Sequence, residues 1–234
     1  MKVIDITGLI SNRMWDMEGL FPKTELVDRA GICEGFGEYH FTEIQGMHTQ
    51  VGTYLETNAH VLNEGDEGRF CVDEVPLDRI VNVDCVVLKV PKNVEDLAQK
   101  HVITLEDLQE ACKAVGGIQP GDAVLVYTGW GDSHWENPEV FFAKSPCFTY
   151  EAMQWLVAHN PSIIGSDTSS WKDLDDNAPE HDDFLDAFYR TGKLMLAPLC
   201  NLNEVTKPRV KLTVLPIRID NVAAAPARAI IIED

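Results

Sequence analysis

The chain opens on a short alternation of polar and apolar positions, Lys2-Val3-Ile4-Asp5-Ile6, and extended character returns over roughly residues 36–46. From Asp84 to Val90 the residues run Asp-Cys-Val-Val-Leu-Lys-Val, ended by Pro91. A near-continuous apolar run of this kind predicts a strand covered on both faces. At Thr104 the period changes. Leu105, Leu108, Ala111 and Cys112 fall at helical spacing, Thr104 can cap, Asp107 sits in the first turn, and Gly116-Gly117 ends the helix. Ala123–Tyr127 is a second buried strand, running into a loop at Thr128-Gly129-Trp130-Gly131. Thr149 caps another helix, striped by Met153, Leu156 and Val157 and stopped by Asn160-Pro161. Ile163-Ile164-Gly165 is a short strand entering Ser166-Asp167-Thr168-Ser169, and a third helix is predicted from about Pro179 to Thr191. Strands near 194–196, 211–219 and 227–232 close the chain.

Strands alternate with helices in the second half, while the first half is richer in strands, which together suit a β/β/α layering of the α/β class. No repeat, low-complexity tract or Pro/Gly/Ser linker divides the sequence, so residues 1–234 read as one domain. Hydrophobic residues make up 45% of the chain, enough to bury a sizeable core. Asp and Glu number 38 against 19 Lys and Arg, a formal net charge of -19. Such a surface excludes nucleic acid and anionic membranes as partners, because both demand clustered cations. No stretch reaches the ~18 apolar residues that span a bilayer, and no signal peptide is visible. The six cysteines lie apart, with no Cys-x-x-Cys pair, and read as buried free thiols in a reducing, cytoplasmic compartment.

The segment richest in chemistry is His48-Thr49-Gln50-Val51-Gly52-Thr53-Tyr54-Leu55-Glu56-Thr57-Asn58-Ala59-His60. Its even positions are nearly all polar. Were the segment extended, one face would carry His48, Gln50, Tyr54, Glu56 and His60 together. The alternative is an ordinary polar outer strand, although such strands more often carry Lys, Glu, Thr and Ser.

Aligned on Gly52-Thr53 and His60, this segment reads Gln-x-Gly-Thr-Tyr-x-Glu-x-Asn-x-His. It resembles the signature His-x-Gly-Thr-His-x-Asp-x-Pro-x-His of the cyclase/kynurenine formamidase family. Further segments follow in the family's order: Val124–Trp130, ending in Thr-Gly-Trp; the helix from Thr149; Gly165-Ser166-Asp167-Thr168-Ser169-Ser170; His181-Asp182-Asp183-Phe184-Leu185; and Ala224-Ala225-Pro226-Ala227-Arg228-Ala229. The resemblance implies a single-domain swivelling β/β/α-type fold, with a mixed sheet and flanking helices, and a dimer or tetramer of the chain.

It also implies a metal site, which this chain carries altered. The family's metal positions fall on Gln50, Tyr54, Glu56 and His181, with a later Glu replaced by Ala197. A binuclear centre is thereby excluded. A single zinc or manganese on Gln50, Glu56 and His181 and a metal-free pocket remain equally supported, since zinc asks for three or four N, S or carboxylate donors. In the metal-free case His60 is the base and Glu56 orients it or serves as a base itself. Tyr54 donates to an oxyanion, and His181 is a second acid–base group. Gln50, His48, Trp130 and Trp15 are the candidate substrate contacts. The function implied is a cyclase or hydrolase acting on an amide, lactone or cyclic carbonyl small molecule. A metal-free lyase or isomerase and a catalytically silent ligand-binding homologue are the alternatives.

The remaining candidates have bland readings. The acidic run Asp173, Asp175, Asp176, Glu180, Asp182 and Asp183 suits a helix N-terminus. Trp130, Trp135 and His134 can pack a loop as readily as line a pocket. Trp15 can anchor the core or, as the resemblance suggests, reach a neighbouring subunit's pocket. His40, His101 and His159 lack a partner pattern, and nothing marks Cys71 or Cys200 as a nucleophile.

Overall fold

The computed structural model describes residues 1–16, 20–172 and 184–234, with the backbone alone for 184–186. Its strands are β1 (Lys2–Asp5), β2 (Glu25–Cys33), β3 (Gly37–Gln45), β4 (Tyr54–Glu56), β5 (Val83–Lys89), β6 (Val102–Ile103), β7 (Ala123–Tyr127), β8 (Cys147–Phe148), β9 (Ile163–Ser166), β10 (Leu194–Ala197), β11 (Val210–Pro216) and β12 (Ala224–Glu233). The helices are α1 (Leu105–Ala114), α2 (Trp130–His134), α3 (Pro138–Phe141), α4 (Tyr150–Ala158) and α5 (Phe184–Arg190).

The main sheet runs β12-β11-β5-β7-β9-β10-β4 and returns to β12, a closed mixed barrel of seven strands. Strands β5, β7, β9 and β10 are mutually parallel and the other pairs antiparallel. Closure depends on the length of β12, one edge of which serves two partners in turn. Ala224–Pro226 pair with β4, and Ile230–Glu233 pair with β1.

Strand parity sorts the apolar residues into two cores. Cys85, Val87, Leu125, Ile163, Leu194 and Leu196 fill the barrel. Their neighbours Val86, Leu88, Val124, Val126, Ile164 and Met195 face outward, against Leu108 of α1, Met153 and Leu156 of α4, and Phe188 of α5. A continuous apolar run is what such doubly covered strands require, and β5 and β7 fall where the sequence predicts them. The caps also hold: the Thr104 hydroxyl accepts from the Asp107 N–H at 3.2 Å while the Asp107 carboxylate accepts from the Thr104 N–H at 2.9 Å. Thr149 caps α4 through the Ala152 N–H at 3.2 Å.

Three expectations need correction. The stretch after β7 is a loop only to Gly129; Trp130 starts α2, with Gly129 in the left-handed region at φ 96°. Residues 36–46 are extended, but as one half of a hairpin whose first strand, β2, goes unforeseen. Its residues alternate on neither face, because both faces are largely exposed. Among the cysteines, all are free but Cys33 is exposed.

The turns after β7 and β9 are joined by one side chain. The fully buried Asp167 carboxylate accepts from the Thr128 N–H at 3.0 Å, the Thr128 hydroxyl at 2.8 Å and the Gly129 N–H at 2.8 Å. Burial pushes this carboxyl up to about 7 against the pull of those donors. Removing it strands two buried N–H groups and a hydroxyl. Asp167→Ala is therefore expected to cost about 3 kcal/mol or more of stability, read as the shift in a denaturant unfolding midpoint.

Candidate functional site

The polar segment 48–60 is not one extended strand. Only Tyr54–Glu56 is β-structure; Thr49–Thr53 form a turn and Asn58–His60 a single 3-10 turn. Local chemistry sets these breaks. Gly52 has φ 66°, and a side chain there would meet Ile10 at 2.9 Å. The Thr53 hydroxyl donates to the Pro198 carbonyl at 2.6 Å and accepts from the Gly8 N–H at 3.0 Å. Thr57 then caps the 3-10 turn, accepting from the Ala59 N–H at 3.4 Å. Turn, strand and 3-10 turn fold the polar groups onto one another where a straight strand would have spread them out.

Within β4, Leu55 points into the barrel, so Tyr54 and Glu56 face outward by parity. They lie opposite Ala197 and Met195 of β10 on one side, and Pro226 and Ala224 of β12 on the other. Glu56 is 3% exposed, and a carboxylate so placed must be paired or hydrogen-bonded. It has three partners. The Gln50 amide nitrogen donates to Oε1 at 2.7 Å, the His60 Nδ1 lies 3.1 Å from the same oxygen, and the Tyr189 hydroxyl donates to Oε2. A carboxylate offers no donor, so Gln50 must turn its NH2 toward Glu56.

The electrostatics follow from Glu56. Its hydrogen bond and charge raise the pKa of His60 above the usual imidazole value, against partial burial. The His60 side chain remains 42% exposed. Burial and the Glu56 charge raise the phenols of Tyr54 and Tyr189, which therefore stay protonated; Gln50 hydrogen-bonds Tyr54. Tyr189 is buried on α5, its hydroxyl also 3.2 Å from the Met195 sulfur and its ring 5.5 Å from that of His60.

The fold thus brings Gln50, Tyr54, Glu56 and His60 together and adds Tyr189. In the sequence Tyr189 shows only as one more aromatic residue of a helix. His48 sits beside the cluster: its Nδ1 accepts from the Gln50 N–H at 3.3 Å, its ring stacks on Phe21 at 4.3 Å, and burial lowers its pKa. Trp130 and Trp15 go elsewhere. Trp130 is fully buried, donating from Nε1 to the Phe141 carbonyl at 3.0 Å. Trp15 stacks on Phe141 at 5.3 Å inside the chain's own aromatic core with Trp135, and its Nε1 has no acceptor among the described residues. His181 and the acidic run 173–183 lie outside the described residues.

The described residues do not fit a metal. Among them no group of three His, Cys, Asp or Glu side chains converges. At the positions that the resemblance assigns to ligands, Gln50 presents an N–H and Tyr54 a protonated phenol, and both Glu56 oxygens already accept hydrogen bonds. Neither an amide N–H nor a protonated phenol is a useful zinc donor.

Comparison with known proteins agrees with this architecture. A family described as a cyclase matches residues 4–173. A kynurenine formamidase from Salinibacter ruber is 27% identical over 189 residues, 79% of this chain and 76% of that protein. An isatin hydrolase bound to the product analogue thioisatinate superposes with a TM-score of 0.80 at 18% identity, covering 100% of this chain and 93% of the other. A protein described as a predicted metal-dependent hydrolase from Bacillus stearothermophilus gives a TM-score of 0.68 at 20% identity, covering 98% and 97%. With most of its length matched, the chain belongs to the cyclase family, as a hydrolase-like enzyme.

Proposed function

We propose that this chain hydrolyses a small-molecule amide, lactone or related cyclic carbonyl compound by acid–base chemistry centred on His60 and Glu56. The observation that carries the reading is the buried Glu56 carboxylate bound to His60 Nδ1. Two similar proteins bear the names of hydrolases acting on a formamide and on isatin.

The tautomer of His60 sets the chemistry. Glu56 accepts from Nδ1–H, so neutral His60 carries its lone pair on Nε2. That atom takes a proton from water as the water oxygen bonds to the substrate carbonyl carbon. Negative charge then gathers on the carbonyl oxygen, and the protonated Tyr54 hydroxyl is the donor that meets it. Collapse breaks the bond to nitrogen, or to the ring oxygen of a lactone, and His60 returns its proton to that leaving atom. Glu56 stabilises the imidazolium that forms in between. Gln50 and Tyr189 hold the carboxylate in place, so both are positioning residues. The metal-dependent description of one similar protein has no counterpart in this scheme, which routes no step through a cation.

The scheme leads to three tests. With a panel of N-formyl aromatic amines, lactones and cyclic imides, His60→Ala is expected to lose about 100-fold or more in kcat/KM while keeping its circular dichroism spectrum; unchanged turnover removes His60 from the chemistry. Activity is expected to survive dialysis against a chelator, with zinc and manganese well below stoichiometric by plasma mass spectrometry. Stoichiometric metal whose removal abolishes turnover would defeat the metal-free scheme.

The third test concerns pH. Because the His60 pKa is raised, the base form is lost as pH falls through a midpoint above ~6.5, and kcat/KM declines with it. The stability that His60 gains from Glu56 has the opposite dependence: full below the unfolded value, lost as pH rises through the folded one. Glu56→Gln removes the supporting charge, so the imidazole midpoint followed by proton NMR should move down. A midpoint that stays put would separate the two residues.

A further inference from the structure

Asp and Glu outnumber Lys and Arg 38 to 19, and a lysine is almost never buried without a partner. Lys193 is 9% exposed, and its ammonium donates to the Asn160 side-chain carbonyl at 2.9 Å. That acceptor is neutral. Arg79 donates from Nη2 at 2.7 Å to the carbonyl of Gly192, the residue before Lys193, and its guanidinium lies 5.2 Å over the Phe70 ring. Neither cation has a carboxylate partner among the described residues. Burial first, and then the Arg79 charge, hold the Lys193 ammonium below its usual pKa.

Sheet geometry puts the lysine there. β9 and β10 are parallel, with Ile163 beside Leu194, and both of these residues fill the barrel. Ser162 and Lys193, one position earlier on each strand, therefore turn to the outer face. The Leu194 N–H donates to the Ser162 carbonyl at 3.2 Å, which holds the two positions side by side. The Ser162 hydroxyl is buried and has no partner among the described residues. Asp122 takes the Ser162 N–H on its carbonyl at 2.9 Å, but its carboxylate is committed. Oδ1 accepts from Arg209 at 2.6 Å and Oδ2 from the Gln119 N–H at 2.8 Å.

We propose that Arg79 and Lys193 hold a small oxyanion, a phosphate or carboxylate group, at the end of the barrel where β9 and β10 begin. A buried charge is costly unless it is compensated, and an anion supplies the charge that the described residues do not. An ammonium offers three N–H groups and a guanidinium five, of which the contacts above engage one each. The planar guanidinium suits two oxygens of one oxyanion, and the ammonium meets the same group as a point charge. The Ser162 hydroxyl is a further donor beside them. Phe70 and the Gly192 carbonyl hold the guanidinium in place, and Asn160 holds the ammonium, so the donors stand ready before a ligand arrives. None of the residues assigned to hydrolysis takes part, and the site is testable apart from that reading.

The test is thermal unfolding of the full chain at constant ionic strength, with inorganic phosphate or succinate replacing chloride. At least one of the two anions is expected to raise the midpoint saturably, by about 2–4 °C, and the two arms distinguish a phosphate group from a carboxylate as the ligand. Lys193→Met, which keeps an apolar stem and removes the charge, should weaken the binding tenfold or more, and so should Arg79→Gln. Equilibrium dialysis against the radiolabelled anion reads the same affinities without unfolding, so a variant whose own stability changes remains informative: one anion per wild-type chain is expected. No saturable rise with either anion over matched chloride, no anion retained in dialysis, or binding that either variant keeps in full would each overturn the proposal.

Discussion

A single negative charge organises the outer face of this barrel. Glu56 lies in the middle of a closed sheet, hemmed by β10 on one side and β12 on the other, where water can do little for it. Leaving a carboxylate there without donors would cost several kcal/mol, so the surrounding elements each supply one. The turn before β4 brings Gln50, the 3-10 turn after it brings His60, and α5 brings Tyr189. Sequence neighbours and a residue over a hundred positions away answer the same demand. The imidazole among them still reaches solvent, with 42% of its side chain exposed. The others spend their hydrogen-bonding capacity on keeping the carboxylate fixed.

The family signature separates here into scaffold and chemistry. Gly52 and Thr53, which match the signature, do backbone work: one turns the chain through the left-handed region, the other ties it to Pro198 and Gly8. Asp167 and Thr128-Gly129 likewise connect two turns. Three of the four departures, Gln50, Tyr54 and Glu56, fall in the middle of the cluster, and the fourth is Asn58. At these positions the described residues form a polar network of donors around one acid.

Much of this was legible from the residues. Apolar runs bounded by prolines and glycines located β5, β7 and β9, and threonine caps located α1 and α4, because local chemistry and tertiary burial favour the same conformations there. The hairpin was half visible: with both faces wet, β2 has no alternation to betray it. For the polar cluster, the sequence predicts the grouping from a geometry that the fold does not adopt. Parity along an assumed strand gathered His48, Gln50, Tyr54, Glu56 and His60, whereas a glycine-dependent turn and a 3-10 turn gather them in the fold. Tyr189 left no local trace, since its role comes from the packing of α5 against β10, a long-range fact. Trp15 and Trp130 carried ambiguous signals and went to core packing.

The way β12 closes the sheet has a topological corollary. Lys2 stands opposite Glu233 in the β1–β12 ladder, so the first and last strands are hydrogen-bonded neighbours. A short peptide could join those two points without disturbing either strand. The chain could then be opened at the exposed turn Glu34–Gly35, where a side chain added at Gly35 would meet nothing within 4 Å, to give a circularly permuted protein with the same barrel. In such a permutant β1 and β12 would form one continuous hairpin, and the order in which the barrel strands leave the ribosome would be rearranged while the final set of contacts stayed the same.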